Sequence, residues 1–425
     1  MLTKHSITLL VIALLFSISY VSWPVYQAMA HKGKVDFLPF HQFIDIPYPF
    51  PTQQEINNKT YQQTGTYALQ TISAHAIGIN APGISAAVAI DGQLVWAGAA
   101  GWASIESSIP VNTDTQFRVG STSKALTGTA LARMVDAKQI ELDNPIAKYL
   151  ISLPNEQWHN ITPRQLASHT AGLPHYKDNS DYLGLYRTLA LATRYEQVKD
   201  ALTIFDNSAL LFTPGTQFSY STFGTVLLSA AMAGAADKSY LEIMQNQVFT
   251  PLDMAATKAE FQANSQDNLA TFYWNNKGRN EQVRKWRDVD LSHRLAGGGF
   301  ISTSSDLVKL GAAFLQDDFI SAKTREMFWT PQVLPNGDET PNGYALGWRV
   351  ITRKIDDTIG EITFANHGGV SRGAQSWLMV IPKYKMAVAV NINANTKVFW
   401  DFGKVSIQLA KMFIHRKVQI MEADI

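Results

Sequence analysis

Ser121 and Lys124 are the residues of this 425-residue chain whose types and spacing most directly suggest chemistry. They form a Ser-x-x-Lys unit, and residues three apart in a helix lie on one face, within side-chain reach. A lysine whose pKa is lowered by burial can take the proton of a serine hydroxyl and make it a nucleophile. The following residues predict a buried helix, and the free N–H groups at its start would stabilise negative charge beside Ser121. The pair therefore predicts a serine nucleophile, although Ser-x-x-Lys alone also arises by chance.

The composition argues against several other classes of function. Lys and Arg number 36 against 35 Asp and Glu, so the charge gives no reason to expect a nucleic-acid partner. The absence of cysteine excludes thiol catalysis, disulfides and thiolate metal sites. No pair of the ten histidines has a spacing typical of a metal site, such as His-Glu-x-x-His, so we expect no metal and no cofactor. The expected partner is a small-molecule or peptide substrate, and the oligomeric state stays open.

The first thirty residues differ from the rest of the chain. Lys4 precedes an uncharged, apolar run over residues 7–25, and an Ala-x-Ala cleavage signal follows at residues 28–30, after the helix-breaking Pro24. The run is also long enough to anchor the protein in a membrane if it is not cleaved. Residues 1–30 are thus predicted to be a signal peptide or a membrane anchor. Both alternatives place the remainder outside the cytoplasm, in the periplasm or at the inner membrane facing outward.

Residues 31–60 contain four prolines and predict an extended connector. A domain over residues 61–425 follows, opening with an amphipathic helix near residues 61–79. Two hairpins frame this domain. The first joins residues 84–90 to 93–97 through Asp91-Gly92, a strong turn signal, and the second joins residues 374–381 to 386–392.

Between the hairpins, about residues 125–300 show a helical and loop-rich pattern, and a closing helix is predicted over residues 401–415. Strands from both ends of the chain with helices between them indicate one sheet built from both termini. The predicted fold is therefore a mixed α/β (α+β) one, in which a mainly antiparallel sheet is flanked by helices and carries an inserted all-helical region. The site is expected in the groove between the two parts.

Two further motifs accompany the Ser-x-x-Lys pair. A tyrosine motif, Tyr220-Ser221-Thr222, precedes an apolar helix, and His367-Gly368-Gly369-Val370 enters a strand near the C-terminus. With these motifs in this order, residues 70–412 resemble the serine β-lactamase and penicillin-binding-protein superfamily. Within it, the chain is similar to the branch of class C β-lactamases, D-Ala-D-Ala peptidases and family VIII esterases, and especially to mitochondrial serine β-lactamase-like peptidases. The resemblance implies a β-lactamase/transpeptidase-like fold.

The resemblance also implies roles for individual residues. Ser121 would be the acylated nucleophile, Lys124 its proton acceptor and Tyr220 the remaining member of the proton relay. The backbone N–H groups of Ser121 and Val370 would form the oxyanion hole. Thr222, His367, Gly368 and Gly369 would contact the substrate, with the two glycines letting the strand backbone approach it.

Two departures from the family pattern favour a peptidase or esterase over an efficient β-lactamase. Thr222 replaces the usual Asn and cannot both donate to and accept from a substrate amide in the same way. His367 replaces the usual lysine of Lys-Thr-Gly, and an imidazole near Lys124 is expected to be neutral. We therefore expect uncharged substrates to be hydrolysed at least as well as carboxylates. A true β-lactamase or D-Ala-D-Ala carboxypeptidase remains an alternative, and so does a catalytically silent scaffold on the same fold.

Other polar residues allow structural interpretations. His169 is expected in a supporting loop under the site, and the Gly297–Gly299 run in a packing turn, because it lacks the Lys-Ser/Thr of a phosphate-binding loop. Arg372 would either meet a substrate carboxylate or lie exposed on the surface.

Overall fold

An antiparallel sheet built from both ends of the chain lies at the centre of the protein. The computed structural model describes residues 4–31, 34–36, 42–275, 281–396 and 399–423. The strands are β1 (Ile44–Asp45), β2 (Thr52–Ile56), β3 (Gly83–Ile90), β4 (Gln93–Ser104), β5 (Ile109–Pro110), β6 (Phe117–Arg118), β7 (Lys258–Ala259), β8 (Tyr273–Asn275), β9 (Gln282–Lys285), β10 (Phe300–Ser302), β11 (Arg349–Asp356), β12 (Gly360–Ser371), β13 (Ala374–Ile381) and β14 (Met386–Ile392).

The helices are distributed along the described part of the chain. They are α1 (Lys4–His31), α2 (Gln62–Gly78), α3 (Ser123–Asp136), α4 (Pro163–Ala167), α5 (Tyr182–Ala190), α6 (Thr222–Ala236), α7 (Tyr240–Met244), α8 (Leu295–Gly298), α9 (Ser304–Ala313), α10 (Ala322–Phe328) and α11 (Phe399–Ala423).

The main sheet has eight strands in the order β11-β12-β13-β14-β3-β4-β2, with β5 paired to β4, and every pairing is antiparallel. The strands β3 and β14, from opposite ends of the chain, pair along their whole length, with Val88 opposite Val388. The prediction of one mainly antiparallel sheet built from both termini is therefore confirmed.

The two faces of the sheet bury different side chains. In β3, Ala87 and Ala89 pack with the helices α3, α6 and α9, whereas Val88 and Ile90 pack with α2 and α11. Successive residues of a strand point to opposite faces, so a strand buried on both sides is apolar throughout. Small residues on one face allow the helical region that carries the site to lie close to the sheet.

Both predicted hairpins are confirmed. Asp91 and Gly92 have φ angles of 50° and 84°, the left-handed pair that a two-residue turn of this kind needs. The helix predicted near residues 61–79 forms as α2. The closing helix is longer than predicted, since α11 begins at Phe399 and continues past residue 415 to Ala423.

One N-terminal expectation differs from the structure. Pro24 does not break the apolar segment, because α1 runs through it as one helix of 28 residues. Within the connector, β2 pairs with β4 and is the edge strand of the main sheet. Pro39 of this connector lies outside the described residues.

Candidate active site

Ser121 lies in a tight turn, Gly120–Thr122, that immediately precedes α3. The sequence predicted that the helix starts at Ser121, whereas the α-helix begins at Ser123, because Gly120 adopts a left-handed φ of 51° and one 3₁₀ turn intervenes. A Cβ on Gly120 would come within 2.8 Å of the backbone of Val370, so only glycine fits. Ser121 is partly exposed while the next residues are buried, so the turn presents the serine hydroxyl at the surface of the core.

Lys124 lies one turn further on and its side chain is fully buried, with 1% exposure. Its Nζ is 3.4 Å from Ser121 Oγ, 3.1 Å from Thr222 Oγ1 and 2.7 Å from the carbonyl oxygen of Gly297. Burial lowers the pKa of Lys124 well below its usual value, and the charges of Arg294 and Arg349 lower it further. A neutral amine has two donors and one lone pair. If Gly297 and Thr222 accept the two N–H groups, the lone pair is left for the Ser121 proton.

Tyr220 precedes α6 and completes the group around Ser121. The helix is capped by Ser221, whose hydroxyl accepts the N–H of Gly224 at 3.0 Å and donates to the carbonyl of Pro174 at 2.7 Å. This cap fixes the chain direction at Tyr220, and Lys124 Nζ lies 4.8 Å from the centre of its ring. Burial raises the pKa of Tyr220 to about 12, against a hydrogen bond with Ser121 that lowers it. Tyr220 is therefore a neutral phenol that can donate a proton.

The strand β12 supplies the opposite wall of the site. Its pairing with β11 ends at Asn366, and beyond that point it passes the Ser121 turn. A Cβ on Gly369 would meet Val119 O at 1.9 Å and Ser121 N at 2.8 Å. The side of Gly369 on which a Cβ would stand thus packs against the nucleophile turn. This close approach sets the backbone of Val370 beside Ser121, the neighbourhood that an oxyanion hole requires.

His367 is fully buried, and the structure gives it an indirect place in the site. Its Nδ1 donates to the Gly368 carbonyl at 2.9 Å, and its Nε2 accepts from the Tyr344 hydroxyl at 3.0 Å. Burial, followed by the charges of Arg349 and Lys124, lowers the pKa of His367 well below its usual value. The ring is therefore neutral, as expected, but it bonds Tyr344 rather than facing a substrate.

Thr222 also differs from its expected role. Its side chain is 1% exposed, and its hydroxyl contacts Lys124, so the geometry favours positioning of the lysine over contact with a substrate. Its backbone N–H donates to His175 Nδ1 at 3.2 Å. Burial lowers the pKa of His175 to about 3, so this acceptor stays neutral.

His169 lies behind the site, in agreement with the supporting loop expected for it. Its ring packs against those of Tyr220 and Tyr344, with centroids 4.3 and 4.5 Å away. Its Nδ1 accepts the Ser221 N–H at 3.4 Å, and it holds a left-handed φ of 62°. Among the described residues, no group of three or more His, Cys, Asp or Glu could hold a metal ion.

Sequence reasoning missed several residues of the site. The Gly297 carbonyl holds Lys124, although the glycine run was interpreted only as a packing turn. Arg349 lies with its guanidinium carbon 5.7 Å from the Tyr220 ring centroid and 5.5 Å from that of Tyr344. Arg294 is buried beside Gly298, the neighbour of the glycine whose carbonyl holds Lys124, and its charge lowers the pKa of Lys124. Arg372 was expected either to meet a substrate carboxylate or to lie exposed on the surface, and the structure shows it partly buried. No local sequence pattern predicts that these residues belong to the site, because only tertiary packing brings them together.

Comparison with known proteins assigns the chain to a class. A family model described as beta-lactamase matches residues 70–410. The chain is 30% identical to the human (Homo sapiens) "Serine beta-lactamase-like protein LACTB, mitochondrial", over 72% of this chain and 70% of that protein. It is 29% identical to "Beta-lactamase" of Escherichia coli (strain K12), over 74% of this chain and 84% of that one. A crystal structure of a D-stereospecific amidohydrolase from Streptomyces sp. superposes with a TM-score of 0.63 and 24% identity, covering 81% of this chain and 98% of that one.

The chain therefore belongs to the beta-lactamase family and is a serine hydrolase of that fold. The predicted family and fold class are confirmed.

Proposed function

We propose that the protein is an exported serine hydrolase that cleaves an amide or ester through an acyl-enzyme on Ser121. The observation that carries this proposal is the environment of Lys124, a buried amine of lowered pKa held 3.4 Å from the Ser121 hydroxyl. A lysine held this way costs folding free energy, because its charged form is desolvated. Such a cost is typical of a site that needs a general base near neutral pH.

The reaction follows from the protonation states. Neutral Lys124 takes the proton of Ser121 as the serine oxygen attacks the carbonyl carbon, and the backbone N–H groups of Ser121 and Val370 hold the resulting oxyanion. Each such donor is commonly worth about 3 kcal/mol in the transition state. Tyr220 donates its proton to the departing nitrogen or oxygen and is reprotonated by Lys124. Water then attacks the acyl-enzyme by the reverse sequence and releases the acid.

The site supports a peptidase or esterase better than an efficient β-lactamase or D-Ala-D-Ala carboxypeptidase. His367 and Thr222 stand where that alternative expects a cation and a carboxamide, and both are buried and occupied by Tyr344 and Lys124. A silent scaffold is disfavoured for a different reason. Nothing in binding alone requires a buried, uncompensated lysine beside a serine hydroxyl.

The test combines covalent labelling with turnover. Purified protein is treated with a fluorescent phosphonate and a fluorescent penicillin, and a panel of esters and peptides is screened, with mass spectrometry of the trapped acyl-enzyme. We expect a label and an acyl adduct on Ser121, and a loss of at least about 10³-fold in turnover for Ser121→Ala with an unchanged melting temperature. Undiminished turnover in that variant, or the absence of any Ser121-dependent label, would contradict the proposal and favour the scaffold.

Export rests on α1. The segment His5–Ala30 is long and apolar enough to cross a membrane, and none of its most apolar window is buried inside the protein. At 1.5 Å per residue its 26 residues extend about 39 Å, more than the roughly 30 Å of a bilayer core. A cleaved signal and a retained anchor are both consistent with this helix, and both leave the hydrolase domain outside the cytoplasm.

A further inference from the structure

A group of arginines lies at the turn between β12 and β13, beyond the position of Val370. Arg294 is 5% exposed, and its Nη2 donates to Ser371 Oγ at 3.2 Å. Its guanidinium carbon lies 5.9 Å from the centre of the Tyr176 ring. Arg372 follows Ser371 directly and is partly buried. These two arginines, with Ser371 and Tyr176, are called the arginine turn below.

The arginine turn carries positive charge that the described part of the chain does not neutralise. No salt bridge joins a carboxylate to Arg294 or Arg372 there, and the buried Nε of Arg294 has no hydrogen-bond partner. Burial, the charge of Arg294 and those of other arginines lower the pKa of Arg372 to about 9, with only Tyr176 opposing them. A buried guanidinium without an anion is costly, and such a group is normally paired.

A neighbouring buried arginine, Arg118, is by contrast fully paired with a carboxylate. Arg118 is 5% exposed, and its Nε and Nη2 donate to the carboxylate of Glu260 at 2.6 to 2.9 Å. Its Nη1 donates to the backbone carbonyl of Arg372 at 2.6 Å. Glu260 is therefore committed to Arg118, and Arg118 in turn fixes the backbone of the arginine turn.

The turn itself is held rigidly. Gly373 has a φ of 73°, and a Cβ there would come within 3.0 Å of the backbone of Tyr273. The side-chain amide of Asn395 donates to the carbonyls of Ser371 and Ala374 at 3.2 and 3.0 Å. A site that is ordered before binding loses less entropy on taking up its ligand.

The position of the turn along β12 indicates which part of a substrate it would meet. Tyr220 protonates the leaving group in the proposed function. It lies beside Arg349, which pairs with Asn366 of β12, next to His367. The arginine turn lies on the other side of Val370, and Arg372 is two residues, about 7 Å, beyond the oxyanion hole. A group reaching from the carbonyl carbon in this direction belongs to the acyl part of the substrate.

We propose that Arg294 and Arg372 form a subsite for an anionic group, such as a carboxylate, on the acyl part of the substrate. This inference rests on the proposed function, since it needs Ser121 to be acylated. It differs from the expectation that uncharged substrates are hydrolysed at least as well as carboxylates. That expectation rested on a neutral His367 and did not include Arg294, although Arg372 was named as a possible contact for a substrate carboxylate.

The test uses two para-nitrophenyl esters with the same leaving group, the adipic acid monoester and its methyl-capped neutral counterpart. The rates measured with Ser121→Ala are subtracted, so that spontaneous hydrolysis does not contribute. For wild type we expect a kcat/KM about 10- to 100-fold higher for the charged ester, the range that a hydrogen bond to a charged group supports. Arg372→Gln and Arg294→Gln should each lower this ratio by about tenfold or more. Arg353→Gln, which removes an exposed arginine from β11, should leave the ratio unchanged.

The outcomes separate this inference from the proposed function. Loss of Ser121-dependent turnover of both esters would refute the proposed function itself. Turnover of both with a wild-type ratio near one, or a ratio unaffected by Arg372→Gln, would overturn the subsite. The wild-type ratio decides the matter even if Arg294→Gln fails to fold, and the half-buried Arg372 provides a variant with less effect on the core.

Discussion

Replacing Gly297 by alanine tests whether the position of Lys124 determines the rate. A Cβ at this residue would lie 2.7 Å from Thr222 Cγ2 and 3.2 Å from Lys124 Nζ. Carbon atoms in good contact are about 3.5–4.0 Å apart, so Thr222 must move by roughly 1 Å and Lys124 must yield with it. A displacement of this size in a catalytic group can lower the rate by about 100-fold. We therefore expect kcat for Gly297→Ala to fall by about 30- to 100-fold on any ester that the wild type hydrolyses.

Stability should change far less than activity. Overpacking in a core costs about 1–3 kcal/mol, and alanine in place of glycine within a helix returns about 0.5–1 kcal/mol. The expected net loss in unfolding free energy is at most about 2.5 kcal/mol, which thermal melting can measure.

The adjacent glycine provides a matched control. A Cβ on Gly298 would lie 3.7 Å from Arg294 Cδ and 3.8 Å from the carbonyl carbon of Gly120, which are ordinary contacts. Gly298→Ala should therefore keep kcat within about threefold of wild type, since its Cβ forces no large shift. If Gly297→Ala retains the wild-type kcat, or if both variants lose activity equally, the reasoning about Lys124 is refuted.

Two further predictions concern acid stability and export. Burial lowers the pKa of His169, His293 and His367 well below the ordinary 6.5, so below that pH the unfolded chain takes up protons that the folded chain does not. Thermal melts should show stability falling as the pH drops from about 6.5, by up to about 1.4 kcal/mol per pH unit for each ring. His367→Gln should flatten this dependence, and a slope equal to that of the wild type would contradict the assignment. For export, a reporter enzyme that is active only outside the cytoplasm should be active when fused after residue 425, and a silent reporter on a soluble cytosolic protein would disprove it.

The sequence predicted most of the sheet because local signals there agree with the tertiary structure. The Asp91-Gly92 turn fixes one hairpin, and the continuous apolar runs on both sides of it leave few alternatives to a buried strand. The second hairpin was predicted with its observed bounds. At Pro24 the local signal was misleading. The proline predicted a break, but an apolar helix can continue through a proline with the loss of one hydrogen bond.

The site was predictable only where side chains carry its chemistry. The structure brings Ser121, Lys124 and Tyr220 together as expected. These residues could be predicted because their motifs are recognised from residue types in a fixed order. The carbonyl of Gly297 belongs to the backbone and leaves no mark in residue type. Arg294 is distant in sequence from Lys124, and only the folded chain shows that they interact.

The proposed anion subsite at Arg294 also affects the pKa of Lys124. Arg294 lowers the pKa of Lys124, and an anionic acyl group bound at Arg294 would offset that effect and draw the pKa back up. A general base that depended on this charge would become protonated when its substrate bound. Burial, however, is the largest cause of the lowered pKa of Lys124, ahead of both Arg294 and Arg349. This burial is present before any substrate binds, since the Lys124 side chain is already fully buried. The depth of Lys124 beneath Ser121 would therefore let the proposed site combine a neutral base with recognition of an anion.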